Sequence, residues 1–189
     1  TLITSSAASD VYKRQVGSVT ERKNPKIIIE SLETIDGNVS LEIIGQTPNL
    51  KYLKELNNLI SSSKHAENIT MTPFIKAEEL ISKYSSANLF ILPSKSEGLG
   101  RVIIEAQSTA CPVLVSSNTG MVDLIIENET GYIFENNNKN DLSNKIQHIM
   151  NNYESALQTG LNSKDFVKEN QSVANFEFGY KKLIDLVST

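Results

Sequence analysis

Cysteine occurs once in this 189-residue chain, as Cys111, so an intramolecular disulfide and a cysteine-rich metal site are both excluded. Ahead of Pro112 the lone thiol reads as a small buried apolar residue. No apolar run approaches the ~20 residues needed to cross a bilayer. No basic stretch followed by an apolar core opens the chain, so no signal peptide is read, and a cytoplasmic location is expected. An excess of positive charge is also missing. The formal net charge is -4, which argues against a general nucleic-acid binder but leaves room for a few local cations at a phosphate. None of the G-x-G-x-x-G, Walker, H-E-x-x-H or G-x-S-x-G patterns occurs. His65 and His148 lie in polar helical contexts and are expected at the surface.

What is present is the composition of a globular protein, with 39% hydrophobic and 21% charged residues. The length suits one domain with a real core, or one domain and a fragment. Short apolar runs alternate with longer helical patterns. Strands are expected at 16–19, 41–44, 69–71, 89–92, 113–115 and 132–134. Runs such as LFIL and PVLV suit strands covered on both faces, as in a parallel sheet. Helical stripes fall between them. Asn24 can cap a helix with Pro25 at its first position, and Ile28, Leu32 and Ile35 follow at helical spacing. Ala77, Leu80, Ile81 and Tyr84 make a second stripe; Leu142, Ile146, Ile149 and Met150 a third. The Asn-rich stretch 135–140 reads as a turn before that helix. The expected fold is α/β, a Rossmann-like doubly wound parallel sheet with helices on both faces.

Both ends lie outside that pattern. Residues 1–15 show no period, and SSAASDVYKRQ resembles a translated sequencing adapter, a scar foreign to the fold; a natural disordered tail is the alternative. Residues 153–189 suggest two extra helices, the second carrying Val173, Phe176, Tyr180, Leu183, Ile184 and Val187 on one stripe.

Two segments can carry chemistry. In PSKSEGLGRVIIEA, residues 93–106, an apolar strand is followed by a loop with Gly98 and Gly100 and then by a helix near Arg101. Strand, glycine loop and helix start together present backbone N–H groups to an anion, at the carboxyl end of a strand, where α/β sheets bind ligands. Glu97 lies in that loop. Glu105 interrupts an apolar turn of the helix, where it could accept hydrogen bonds from ribose hydroxyls; a solvated helix face is the plainer reading of one such glutamate. In VGSVTERKN, residues 16–24, a strand ends at Gly17, and Arg22 and Lys23 precede the next helix. Two cations there could clamp a diphosphate, or form an ordinary basic turn.

Together these blocks resemble the C-terminal domain of the retaining glycosyltransferases of family 4, which have the two-domain GT-B fold. That family carries two glutamates separated by seven residues in P-S-x-x-E-G-[FL]-G, closing with E-A. Pro93, Ser94, Glu97, Gly98, Leu99, Gly100, Glu105 and Ala106 match it. Residues 17–24 resemble the family's G-R-L-x-x-x-K-N, with Lys23 at the lysine. CPVLVSSNTGMVDLIIENETGYIF resembles a third block.

The resemblance implies the C-terminal half of a GT-B fold, with residues 16–152 binding a nucleotide-diphosphate sugar. Residues 153–189 would pack on an N-terminal domain that holds an unknown glycan or lipid acceptor. It implies that Glu105 binds the donor ribose and that Lys23 and Arg22 neutralise the diphosphate. Gly17 would lie beside the site, and amides around Gly98, Leu99 and Gly100 would meet phosphate and sugar. Glu97 would contact the transferred sugar. Phe74 and Ile75 would line the nucleobase, and Thr119 and Gly120 would lie near the sugar-phosphate. No Asp-x-Asp occurs, so neither a metal nor any other cofactor is expected beyond the donor. Ser18 stands where the family has arginine, Cys111 where it has glycine, and Asp123 near its usual glutamate. The implied activity is hexosyl or glycosyl transfer with retention in polysaccharide, lipopolysaccharide or glycolipid synthesis, by a complete enzyme in the cytoplasm or at the inner membrane surface. This portion alone is expected to be inactive. A non-catalytic nucleotide-sugar-binding module is the alternative.

Overall fold

The computed structural model describes residues 11–170, apart from Leu99 and Met121, and describes Val11–Val16 by backbone alone. Six strands form one sheet: β1 (Val11–Val16), β2 (Val39–Ile44), β3 (Ile69–Thr72), β4 (Leu89–Leu92), β5 (Val113–Ser116) and β6 (Tyr132–Phe134). Their order is β3-β2-β1-β4-β5-β6, and every neighbouring pair is parallel. This is the doubly wound arrangement expected from the apolar runs. In β4 the side chains alternate between two cores. Leu89 and Ile91 join Leu41, Ile43 and Leu114 on one face, while Phe90 and Leu92 join Val113 and Val115 on the other. Both faces are dry, which is why LFIL is apolar throughout.

The helices follow the strands: α1 (Pro25–Leu32), α2 (Leu50–Ser62), α3 (Ala77–Ser85), α4 (Arg101–Ser108), α5 (Lys139–Asn151) and α6 (Tyr153–Asn170). α1 buries Ile27, Ile28, Ile29 and Leu32. Each such side chain contributes roughly 1.5–3 kcal/mol. Asn49 caps α2 by accepting from the amides of Lys51 and Tyr52, and Asn138 caps α5 by accepting from that of Asp141. α6 is anchored by Thr159, whose hydroxyl meets that of Tyr132 at 3.3 Å and also donates to the Asn128 carbonyl.

Four expectations change. The first strand spans Val11–Val16 rather than 16–19, so residues 11–15, read as tail, pair with β2 on one side and β4 on the other. Asn24 precedes α1 in the left-handed region, at φ 51°, without a side-chain cap; its amide instead donates to Asn137 Oδ1. The stripe on α3 is only partly buried: Tyr84 is inside and Ile81 is exposed. His65 is buried, its Nε2 3.2 Å from the Leu32 carbonyl. His148 is exposed on α5 as expected, beside the Asn152 side chain. Cys111 is buried, also as expected. The stripe from Val173 to Val187 lies outside the described residues.

Candidate functional site: the crevice between β1 and β4

Strand order reverses between β1 and β4. Chains leaving these two strands turn to opposite faces of the sheet, which opens a crevice at their carboxyl ends. The loop after β1 supplies Arg22 and Lys23, and the loop after β4 supplies Glu97. Backbone bonds fix the first loop: Gly17 N–H donates to the Ile44 carbonyl and Val19 N–H to that of Gln46.

The two loops are tied to each other. Lys95 N–H donates to the Arg22 carbonyl at 2.8 Å, and Arg22 Nη1 donates to the Ser96 carbonyl at 2.8 Å. Lys23 Nζ donates directly to Glu97 Oε2. Arg22 Nη1 stands 3.7 Å from Glu97 Oε1, and the Ser94 hydroxyl donates to Oε2 at 3.3 Å. The Lys23 and Glu97 side chains are 13% and 8% exposed, whereas that of Arg22 is 54% exposed. Lys23 and Glu97 therefore form the inner pair, and Arg22 is a rim charge. Sequence reasoning assigned these groups separately, to diphosphate and to sugar; the structure pairs them with each other.

The loop after β5 closes the third side. Glu97 and Thr119 form a parallel backbone bridge, and Gly120 N–H donates to the Glu97 carbonyl at 2.7 Å. A Cβ at position 120 would lie 2.1 Å from the Gly98 oxygen and 2.6 Å from that of Glu97, so only glycine fits. Thr119 is buried, and its hydroxyl has no partner among the described residues. Asn118 and Asn136 both direct side-chain amides at the Lys95 carbonyl. Neither asparagine nor Ser94 was assigned a role from sequence. Ser94 sits inside the matched motif, but Asn136 comes from a separate loop and only tertiary structure brings it in.

Helix α4 begins at this loop with Gly100 at its N-cap and no side-chain cap. Its first-turn amides are the kind that receive an anion. Gly98 is exposed beside it, and Leu99 lies outside the described residues. Glu105 is exposed on α4 and is held from outside the loops, by the Tyr84 hydroxyl, which donates to its Oε2 at 3.2 Å. Burial first, and then the Glu105 charge, push the Tyr84 phenol well above its ordinary range, so it remains a donor. Phe74 is 72% exposed on the loop after β3, while Ile75 packs against the core. Near them a cavity of ≈ 530 Å³ is lined by residues including Gly45, Gln46, Pro48, Leu53, Met71 and Pro73. Asp123 is exposed in a short 3-10 turn, Val122–Leu124. Among the described residues no helix is long and apolar enough to cross a membrane.

Comparison with known proteins shows the family and the fold. The family described as glycosyl transferases group 1 matches residues 10–166. The chain is 31% identical over 156 residues to an uncharacterized glycosyltransferase of Methanocaldococcus jannaschii, covering 82% of this chain and 42% of that protein. It is 30% identical over 142 residues to the capsular polysaccharide biosynthesis glycosyltransferase CapM of Staphylococcus aureus, covering 72% and 36%. The chain thus spans less than half the length of these relatives. Among solved structures, Anabaena HepE in complex with UDP and glucose superposes with a TM-score of 0.84 at 19% identity, over 97% of this chain and 49% of that one. The C-terminal domain of a group 1 family protein, LpcC, from Francisella tularensis superposes with a TM-score of 0.80 at 21% identity, over 86% and 87%.

Proposed function

Because this chain belongs to the glycosyl transferases group 1 family, we propose that it is the donor-binding half of a glycosyltransferase that uses a nucleotide-diphosphate sugar. The observation that carries this is the meeting of Lys23, Arg22 and Glu97 across the β1–β4 crevice. A diphosphate seated there replaces Glu97 as the anion facing Lys23, with Arg22 at the rim and the uncapped start of α4 below. HepE, a structural neighbour, is described in complex with UDP and with UDP-glucose, which supports a nucleotide sugar as the donor.

In the reaction the bond between the sugar's anomeric carbon and the diphosphate oxygen breaks. Its electron pair stays on the leaving diphosphate; an acceptor hydroxyl bonds to the carbon, and its proton passes to the departing diphosphate. Lys23, Arg22 and the α4 amides offset the charge that grows on the leaving group. Electrostatic stabilisation of that kind commonly supplies more of the rate enhancement than any other single effect, and here it needs no metal. Glu97, released from Lys23, turns to the hydroxyls of the transferred sugar. The two-glutamate motif supports transfer with retention, as in the family 4 transferases, to a glycan or lipid acceptor held by a second domain.

The test is titration of the 189-residue chain with UDP and with GDP, in magnesium and in excess chelator. Binding of similar affinity in both buffers is expected. No binding of either nucleotide in either buffer would remove the donor-site reading, and binding lost in chelator would remove its metal-free form.

A further inference from the structure

The Tyr84–Glu105 pair is not explained by the packing of the core alone. Tyr84 is the last large residue of α3 and is only 2% exposed. It packs edge-on against Phe90 of β4, with ring centroids 5.5 Å apart and planes at 81°. Phe90 is itself fully buried. The phenol is therefore held on a rigid element, and its hydroxyl emerges at Glu105, the only carboxylate on α4.

A glutamate on an exposed helix face ordinarily samples several rotamers. A donor fixed from below selects one of them. An ionised carboxylate offers about four acceptor sites over its two oxygens. Tyr84 uses one on Oε2, and Oε1 with the second site on Oε2 remains for a vicinal pair of hydroxyls. Burial and the neighbouring negative charge keep the phenol protonated, so this donor persists across the working pH range. A site whose groups are held by a supporting residue discriminates better than one left to chance.

We propose that Tyr84 is a positioning residue that presets the Glu105 carboxylate for the ribose diol of the donor, and so sets the preference for ribonucleotides over deoxyribonucleotides. This rests on the donor-site reading given above. A purely structural phenol would affect melting temperature and leave sugar discrimination untouched.

The probes are UDP and GDP with their 2′-deoxy and 3′-deoxy counterparts, titrated onto the wild-type chain and onto Tyr84→Phe, Glu105→Gln and the double variant. Tyr84→Phe keeps the ring and its contact with Phe90, so the fold is preserved, and thermal unfolding is measured to confirm it. The expected result is a ribo-to-deoxy preference in wild type that falls roughly fivefold in Tyr84→Phe. It falls further in Glu105→Gln and no further in the double variant. An unchanged preference in Tyr84→Phe, with Glu105→Gln impaired, overturns the positioning role while leaving the donor site standing. Equal, additive losses from the two substitutions also overturn it, because independent groups do not act through one another. Failure of the wild type to bind any of these nucleotides overturns both readings.

Discussion

Lys23, two residues before α1, donates directly to the carboxylate of Glu97, 74 positions later in the chain. With side chains 13% and 8% exposed, the two close the crevice between β1 and β4 on themselves. On the donor-site reading proposed above, an incoming diphosphate takes Lys23 from Glu97, so the two residues are expected to affect affinity in opposite directions.

Lys23→Ala is expected to weaken UDP or GDP by about 10- to 140-fold, since a charge-assisted contact is worth roughly 1.5–3 kcal/mol. Binding of the corresponding nucleoside should hardly change, because it lacks the phosphates. Calorimetry with the nucleotide and the nucleoside separates the two. Equal losses for both would move Lys23 away from the phosphate.

Glu97→Gln should act the other way on the free nucleotide. It removes the negative charge that competes for Lys23 and keeps the shape of the side chain. UDP or GDP should bind several-fold more tightly at low salt, and the gain should shrink as salt screens the charges. Weaker nucleotide binding in this variant would mean that Glu97 orders the loop more than it competes for the lysine.

Gly120→Ala tests how the third loop is seated. The new methyl would fall on two carbonyl oxygens, of Gly98 and Glu97, at 2.1 and 2.6 Å. Overpacking costs typically 1–3 kcal/mol, or a fall in Tm of about 2–12 °C for a chain of this size. Nucleotide affinity should fall with it, because the displaced backbone carries Glu97. A variant that melts as wild type does would show that the loops are not in contact.

Most of this architecture was legible because it rests on local patterns. LFIL and VLV are apolar on both sides of the pleat, and both lie in fully buried strands. The P-S-x-x-E-G-L-G match pointed to the loop after β4, which faces the β1–β4 crevice. What could not be read is what tertiary structure alone supplies. Lys23 and Glu97 looked like independent contacts, since nothing local shows that two loops 74 positions apart interlock. Asn136 reaches the Lys95 carbonyl from beyond β6. His65 looked polar by its neighbours, yet its ring is buried against the end of α1. The first strand was missed because Lys13, Arg14 and Gln15 break the apolar pattern that marks a central parallel strand.

Sugar transfer by the 189-residue chain alone is expected to be undetectable. A transferase must hold the acceptor hydroxyl about 3–3.5 Å from the reacting carbon, and much of the lowered barrier comes from that placement. The β1–β4 crevice offers one wall, and the similar proteins of Methanocaldococcus jannaschii and Staphylococcus aureus are more than twice as long as the stretch matched. Radiolabelled nucleotide sugars with lipid, sugar and protein acceptors provide the assay. Robust turnover by the chain itself would overturn the expectation; activity restored by fusing an N-terminal domain from a family member would support it.

The first strand gives the sharpest test of where the fold begins. β1 sits in the middle of the sheet, paired from Val11↔Val39 to Val16↔Ile44 on one side and through Lys13↔Leu89 and Arg14↔Phe90 on the other. Its neighbours β2 and β4 are buried along their whole length. Removing residues 1–15 would strand the facing backbone groups of both, and each buried group left unpaired costs about 1–3 kcal/mol. Several such losses together exceed the net stability of an ordinary domain, roughly 5–15 kcal/mol. Cooperative unfolding should therefore be lost. Removing only residues 1–10 should leave Tm within about a degree, because most of the part that resembles a scar would go while the strand and its backbone pairing stay. Differential scanning calorimetry of the two truncations beside the full chain separates these outcomes. Should the chain that starts at Val16 melt as sharply as the full one, β1 is dispensable and residues 1–15 are a tail after all.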